Sequence, residues 1–225
     1  METSARQMLQ LLLESQALTF GQFTLKSGRQ SPYFVNLGGL CSGRALTILG
    51  EAYAEVIMAA FGGRFDVVFG PAYKGIPIAV AACEALWRRH GVAASYAADR
   101  KEEKDHGDRG LVVGAKLGAD TRVVYVDDVI SAGTSMRNTM HLFNTNFGCK
   151  VIGAVVAVDR QERGTSSPVS AVQEVERTYG VKVHAILRMR AVVDYLHATD
   201  VGGTRYIDDR LRDEIDAYLR RYGSE

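Results

Sequence analysis

Short runs rich in β-branched residues alternate with helical stretches along most of this chain, and that alternation limits the fold more than any other feature. Extended runs fall at 66–70, 93–97, 122–127, 151–158 and 182–187, and helical periodicity at 43–61, 75–90, 134–147, 169–179 and 207–222. Such a pattern predicts an α/β fold, a central parallel sheet with helices on both faces. The 134–147 stretch puts Met136, Met140, Phe143 and Phe147 on one stripe, and Gly148 follows as a stop. The 43–61 stretch has only a thin polar line, Arg44, Thr47, Glu51 and Glu55. A helix this apolar is covered widely, either by its own core or by a second subunit. Ahead of the first sheet strand, GQFTLKSGRQSPYFVNLG reads as two extended runs around a turn-rich SGRQSP. That predicts a small β-hairpin hood over about 20–40. METSARQMLQLLLES reads as an amphipathic helix capped near Thr3 or Ser4.

At 225 residues, without a repeat or a Pro/Ser-rich linker, a single domain over 1–225 is expected. The balance of 27 Lys and Arg against 26 Asp and Glu leaves a net charge of +1. No global field then draws the chain to nucleic acid or to an anionic membrane, and any phosphate binding must be local. The leader lacks a small-residue cleavage site, and no apolar run approaches the ~18 residues that span a bilayer. Cys41, Cys83 and Cys149 stand far apart without a CxxC pair. They read as reduced thiols of a cytoplasmic protein and offer no zinc-site spacing.

The segment richest in chemistry is VVYVDDVISAGTS, residues 123–135. An apolar strand runs into Asp127 and Asp128, then a turn of small residues, then a helix. Ligands of open α/β sheets sit beyond the carboxyl ends of strands. Residues 131–135 would offer backbone N–H groups and hydroxyls at a helix N-terminus, which suits a phosphate. Gly133 permits a close approach or a positive φ. The two carboxylates suit sugar hydroxyls or a developing positive charge. Acidic residues also cap turns after strands, but two in succession before SAGTS favour chemistry. GPAYKG at 70–75 fits GxxxxG, yet Ile76-Pro77 follows where a nucleoside triphosphatase loop needs Lys and Ser or Thr. Its one lysine beside a helix start still suits an anion. In DRKEEKDHGDR, at 99–109, nine of eleven residues are charged. Such a run is ordinarily a solvated loop; equally, Arg100, Lys101, Lys104 and His106 could converge on a polyanion.

Taken together, VVYVDDVISAGTS, FTLKSGRQSPYF, FGPAYKGIP, RKEEKDHGD and VDRQERG resemble the motifs of the type I phosphoribosyltransferases, and among them the orotate phosphoribosyltransferases. The resemblance runs from about Arg6 to the final helix. It implies transfer of ribose 5-phosphate from 5-phosphoribosyl 1-diphosphate to orotate, with Mg²⁺ as cofactor carried mainly by the diphosphate and water and no direct protein ligand. It implies that Lys26 reaches the base and diphosphate end, and that Phe34 and Val35 flank orotate with their backbone. Tyr73 and Lys74 would line the diphosphate loop, and Arg100, Lys101, Lys104 and His106 would close over the diphosphate as part of a mobile loop at about 99–112. Asp127 and Asp128 would hold the ribose hydroxyls. Val129 and Ile130 would also bind the sugar diphosphate, and Ser131, Ala132, Gly133, Thr134 and Ser135 would cradle the 5-phosphate, with Ser131 also near the base. Arg160 would hold orotate, although the residue alone reads as a surface arginine. Lys101, Lys104, Asp127 and Asp128 would carry catalysis. A homodimer with shared active sites is implied. Val35 replaces a frequent second Phe, and Ser131 a frequent Thr that shares its hydroxyl. Two rivals are a phosphoribosyltransferase for another base and a non-catalytic regulator that senses the sugar diphosphate or binds RNA.

Overall fold

A computed structural model describes residues 1–25, 27–100, 110–130, 133–164 and 169–224. Along the chain run α1 (Thr3–Glu14), β1 (Leu18–Thr24), β2 (Gln30–Val35), α2 (Gly43–Phe61), β3 (Val67–Phe69), α3 (Gly75–His90), β4 (Ser95–Asp99), β5 (Val112–Gly114), β6 (Arg122–Val129), α4 (Thr134–Asn146), β7 (Lys150–Asp159), α5 (Ala171–Tyr179), β8 (Val183–Arg188), α6 (Met189–Ala198) and α7 (Asp209–Tyr222). The main sheet has the order β5-β4-β3-β6-β7-β8. Its pairings are parallel except at the edge, where β5 runs antiparallel to β4. Among the described residues, no helix is long and apolar enough to cross a membrane.

Alternation along the strands divides the core. In β6, Val124 and Val126 join the core layer that also holds buried residues of α1, α2, α3, α6 and α7, whereas Val123 and Tyr125 join the layer with α4 and α5. Side chains of a strand project to alternate faces, so one β-branched run feeds both layers. Helices therefore cover both faces, as the strand and helix alternation predicts. The α4 stripe packs as expected: Met136 and Phe143 are buried, and Met140 and Phe147 lie against the same cluster. On α2, one wide face is covered by this chain's own core. Leu49, Tyr53, Ile57 and Phe61 are buried within this chain, on the face shared with α1 and α3.

The sheet is parallel as expected apart from β5, a three-residue edge strand too short to show any periodicity. Three points differ from the sequence reading. α6 is an additional helix without a sequence signal; β8 passes into it directly, with Arg188 at its N-cap and no capping side chain or turn residue to mark a start. At the N-terminus, the cap position is Glu2, which makes no side-chain capping bond, and Thr3 and Ser4 already lie inside α1. The hood is present as the antiparallel pair β1–β2, but Gln30, Ser31 and Pro32 belong to the strand and not to the turn.

Candidate functional site

The carboxyl ends of β3, β4, β6 and β7 lie side by side, and each continues into a segment with polar side chains. After β3, the chain turns within residues 70–75 and starts α3. Gly75 donates its N–H to the Pro71 carbonyl at 2.9 Å. The turn is so tight that a Cβ on Gly70 would lie 1.9 Å from the Gly75 oxygen, and one on Gly75 would lie 2.5 Å from Pro71 Cδ. Only glycine fits at both ends. Asp99, closing β4, accepts the Ala72 N–H at 2.5 Å and fixes this turn from the neighbouring strand. Tyr73 is left projecting, 73% exposed.

Lys74 emerges from that turn and joins three parts of the molecule. Its Nζ lies 2.8 Å from Asp128 Oδ2 on β6 and donates to Asn36 Oδ1, just past β2, at 3.3 Å. Asp128 is buried while Lys74 is half exposed, so the ammonium can release its partner for an incoming anion. Asp127 lies deeper. Its carboxylate accepts the Tyr125 hydroxyl at 2.8 Å and the Asp128 N–H at 2.9 Å, and its carbonyl accepts the Tyr53 hydroxyl at 2.7 Å. Burial first, and then the Asp128 charge, raise the Asp127 carboxyl from 3.8 to about 6. Beyond β6, Gly133 has φ 66° and begins α4 with no side-chain cap and no acid in the first turn. An uncapped N-terminus of this length presents its first N–H groups and its dipole to an anion.

A second polar group forms where the loop after β7 meets the hood. The Arg160 guanidinium lies over the Tyr33 ring, 4.6 Å from its centroid. Nε and Nη2 donate to Glu162 Oε1 at 3.0 and 2.7 Å, and Nη2 also donates to Ser31 Oγ at 3.2 Å. Arg160 is thus no surface arginine: its side chain is only 12% exposed and is engaged on one face and one edge. Burial works against its charge, but its interactions with the Tyr33 hydroxyl and the Glu162 carboxylate outweigh it and hold its pKa above the usual arginine value.

An anion-ready helix start, a lysine held between two strands and a paired carboxylate thus lie at one end of the sheet. The phosphoribosyl transferase domain matches residues 42–182. The chain belongs to that family. Among phosphoribosyltransferases, it is 42% identical over 223 residues to the orotate phosphoribosyltransferase of Clostridium acetobutylicum, covering 99% of each chain. It is 44% identical over 221 residues to that of Bifidobacterium adolescentis, covering 96% of each. Its structure superposes on the orotate phosphoribosyltransferase of Francisella tularensis with TM-score 0.83 at 33% identity, covering 96% of this chain and 98% of the other.

Of the residues singled out in sequence, Tyr73, Lys74, Asp127, Asp128, Val129, Ile130, Gly133, Thr134 and Ser135 lie along the carboxyl ends of β3 and β6. Arg100 directly follows β4. Phe34 is exposed and stacks on Phe23 with centroids 5.5 Å apart, while Val35 turns inward and is buried. Lys26, Lys101, Lys104, His106, Ser131 and Ala132 lie outside the described residues. Sequence reasoning missed Asn36, Asp99, Tyr125, Tyr33 and Glu162. Asn36 was the most accessible of these, since an Asn before Leu-Gly-Gly at a strand end is a turn signal, and it does accept the Gly38 N–H.

Proposed function

We propose that this chain is a cytoplasmic orotate phosphoribosyltransferase of pyrimidine nucleotide synthesis. It transfers ribose 5-phosphate from 5-phosphoribosyl 1-diphosphate to orotate and yields orotidine 5′-monophosphate and diphosphate. The observation that carries this is the Lys74–Asp128 pair set between Asn36 of the hood and the start of α4. A cation, two carboxylates and an uncapped helix start at one edge of the sheet support this reading. Near-full-length likeness to relatives bearing this name supports it.

In the reaction, the bond from ribose C1 to the diphosphate oxygen breaks, and the diphosphate leaves with the electron pair. An orotate ring nitrogen supplies the pair for the new C1–N bond and gives up its N–H proton to the departing diphosphate or water. Positive charge develops on the ribose between these events. Asp127 and Asp128 stabilise it and hold the ribose hydroxyls, while residues 131–135 receive the 5-phosphate. Lys74 leaves Asp128 for the departing diphosphate, joined by Arg100, Lys101, Lys104 and His106. Lys26, Phe34, Val35 and Arg160 hold orotate; the planar guanidinium matches a planar anion.

Among the described residues, no three His, Cys, Asp or Glu side chains converge as a metal cage. The donors at the site are hard carboxylate oxygens, which fit Mg²⁺ held largely by diphosphate oxygens and water. When bound, that ion supplies further positive charge at the leaving group.

A homodimer with shared sites completes the proposal. Tyr73, Val80 and Trp87 stand exposed along α3 and the turn before it, with Tyr96 on the adjoining strand; Trp87 is 64% exposed. An apolar strip of this kind on an otherwise charged surface fits a second copy of the chain.

Loss of orotate absorbance on adding 5-phosphoribosyl 1-diphosphate and Mg²⁺ tests the activity, and no loss would refute it. Arg160→Ala tests the acceptor site. Loss of a charged contact, about 2 kcal/mol, should raise the KM for orotate roughly thirtyfold, with little change for the sugar diphosphate. An unchanged orotate KM removes Arg160 from the site.

A further inference from the structure

The family match ends at residue 182, yet the C-terminal helix α7 reaches back to the loop that carries Arg160. Tyr218 of α7 meets the buried Tyr33 ring edge-on, with centroids 5.8 Å apart. Tyr33 in turn lies beneath Arg160 and donates its hydroxyl to Glu162 Oε1 at 2.6 Å. That same oxygen receives Arg160 Nε and Nη2. The other Glu162 oxygen faces Arg29 Nη1 at 3.9 Å. Arg29 is anchored by the Arg163 and Gly164 carbonyls and lies over Tyr222, 4.8 Å from its centroid. The chain after α7 closes the arrangement, since Ser224 donates its N–H to the Gln161 carbonyl at 2.8 Å.

A guanidinium has five N–H donors. Glu162 and Ser31 take Nε–H and the two of Nη2, which leaves the pair on Nη1. A side chain as flexible as arginine, held this way on one edge and one face, has a single edge to offer a ligand. We propose that Glu162 is a positioning residue for the acceptor: seated by Tyr33 and the α7 tyrosines, it fixes Arg160 so that Nη1 meets the base to be ribosylated. Glu162 itself does not touch substrate. Preorganising the donor removes the ordering cost from the binding step. Tyr33 remains a donor throughout the neutral range, because burial and the Glu162 charge push its hydroxyl well above 10. The inference rests on Arg160 contacting the acceptor, as proposed above.

The test is a double-mutant cycle read by steady-state kinetics in both substrates. Glu162→Ala should raise the KM for orotate about tenfold and leave that for 5-phosphoribosyl 1-diphosphate within about twofold. Glu162→Gln, whose amide oxygen still accepts, should recover to within about threefold of wild type. Tyr33→Phe, which keeps the ring and loses the hydroxyl, should fall between them. In the Arg160→Ala background, Glu162→Ala should add less than about twofold, because the two act as one unit. A lower orotate KM in Glu162→Ala would mean that the carboxylate competes with the acceptor, and would overturn the proposal. So would full additivity in the cycle, or equal rises in both KM values. If Glu162→Ala fails to fold, Glu162→Gln and Tyr33→Phe decide, and wild-type orotate KM in both overturns it. An orotate KM that responds to Arg160→Ala but to no Glu162 variant sinks this inference alone; one that ignores Arg160→Ala sinks the acceptor-site proposal with it.

Discussion

Replacing Asp127 by asparagine removes a negative charge that the fold holds against its own preference. The Asp127 carboxyl titrates near about 6 in the folded chain because it is buried, with the Asp128 charge beside it, against an ordinary 3.8. The folded state therefore binds this proton more tightly than the unfolded state does. The resulting stabilisation is complete below about pH 4 and is lost as pH rises through about 6. A difference of about 2 units amounts to about 3 kcal/mol across that window. The Asp127→Asn variant would not lose it, because its amide carries no charge at any pH. It would give up one acceptor, since the Tyr125 hydroxyl and the Asp128 N–H each bond a different carboxylate oxygen. That costs about 1 kcal/mol at every pH. The variant should be about 1 kcal/mol less stable than wild type at pH 4 and about 2 kcal/mol more stable at pH 8. Urea unfolding followed by circular dichroism at pH 4, 6 and 8 measures both. If Asp127 stabilises the ribose cation as proposed, the catalytic rate at pH 8 should fall by at least about tenfold, because that charge is gone. A stability difference between variant and wild type that stays constant from pH 4 to 8 would refute the assignment of a raised Asp127 pKa.

Gly75→Ala should open the turn before α3, since its Cβ would press on Pro71 Cδ at 2.5 Å and on the Gly70 carbonyl carbon at 2.6 Å. A loss of at least about 2 kcal/mol in urea unfolding is expected, and wild-type stability would show that the turn has room to relax. Wild type should sediment as the proposed dimer and Trp87→Arg as a monomer with the far-ultraviolet spectrum preserved; a monomeric wild type would refute the dimer, and an unchanged dimer mass in the variant would place the subunit contact elsewhere.

Which features are legible in the sequence follows from how local their causes are. α2 begins and ends where expected because Ser42 caps Ala45 N–H at one end and Gly62 adopts the left-handed conformation at the other. α3 stops at Gly91 for the same reason. Strand limits are less local: the sequence pattern places a strand at 93–97, whereas β4 lies at Ser95–Asp99, because tertiary pairing and not a local signal sets its register. The Asp127–Asp128 pair and the uncapped start of α4 are legible, as one contiguous segment carries them. Glu162 is not, because its partner Tyr33 lies 129 residues away and neither residue signals the other. Asp99 sits within a charge run whose solvated and functional versions look alike in sequence. Only its bond to Ala72 distinguishes it.

The antiparallel edge has a further consequence. β5 returns beside β4, and the Arg100 N–H donates to the Leu111 carbonyl at 2.9 Å, so the charged segment starts and finishes at adjacent rungs of one ladder. Its ends are held about 4.8 Å apart whatever lies between them. Doubling a tethered segment adds only about 0.6 kcal/mol of closure entropy. Residues between the rungs can thus lengthen, shorten or change charge with little strain on the sheet.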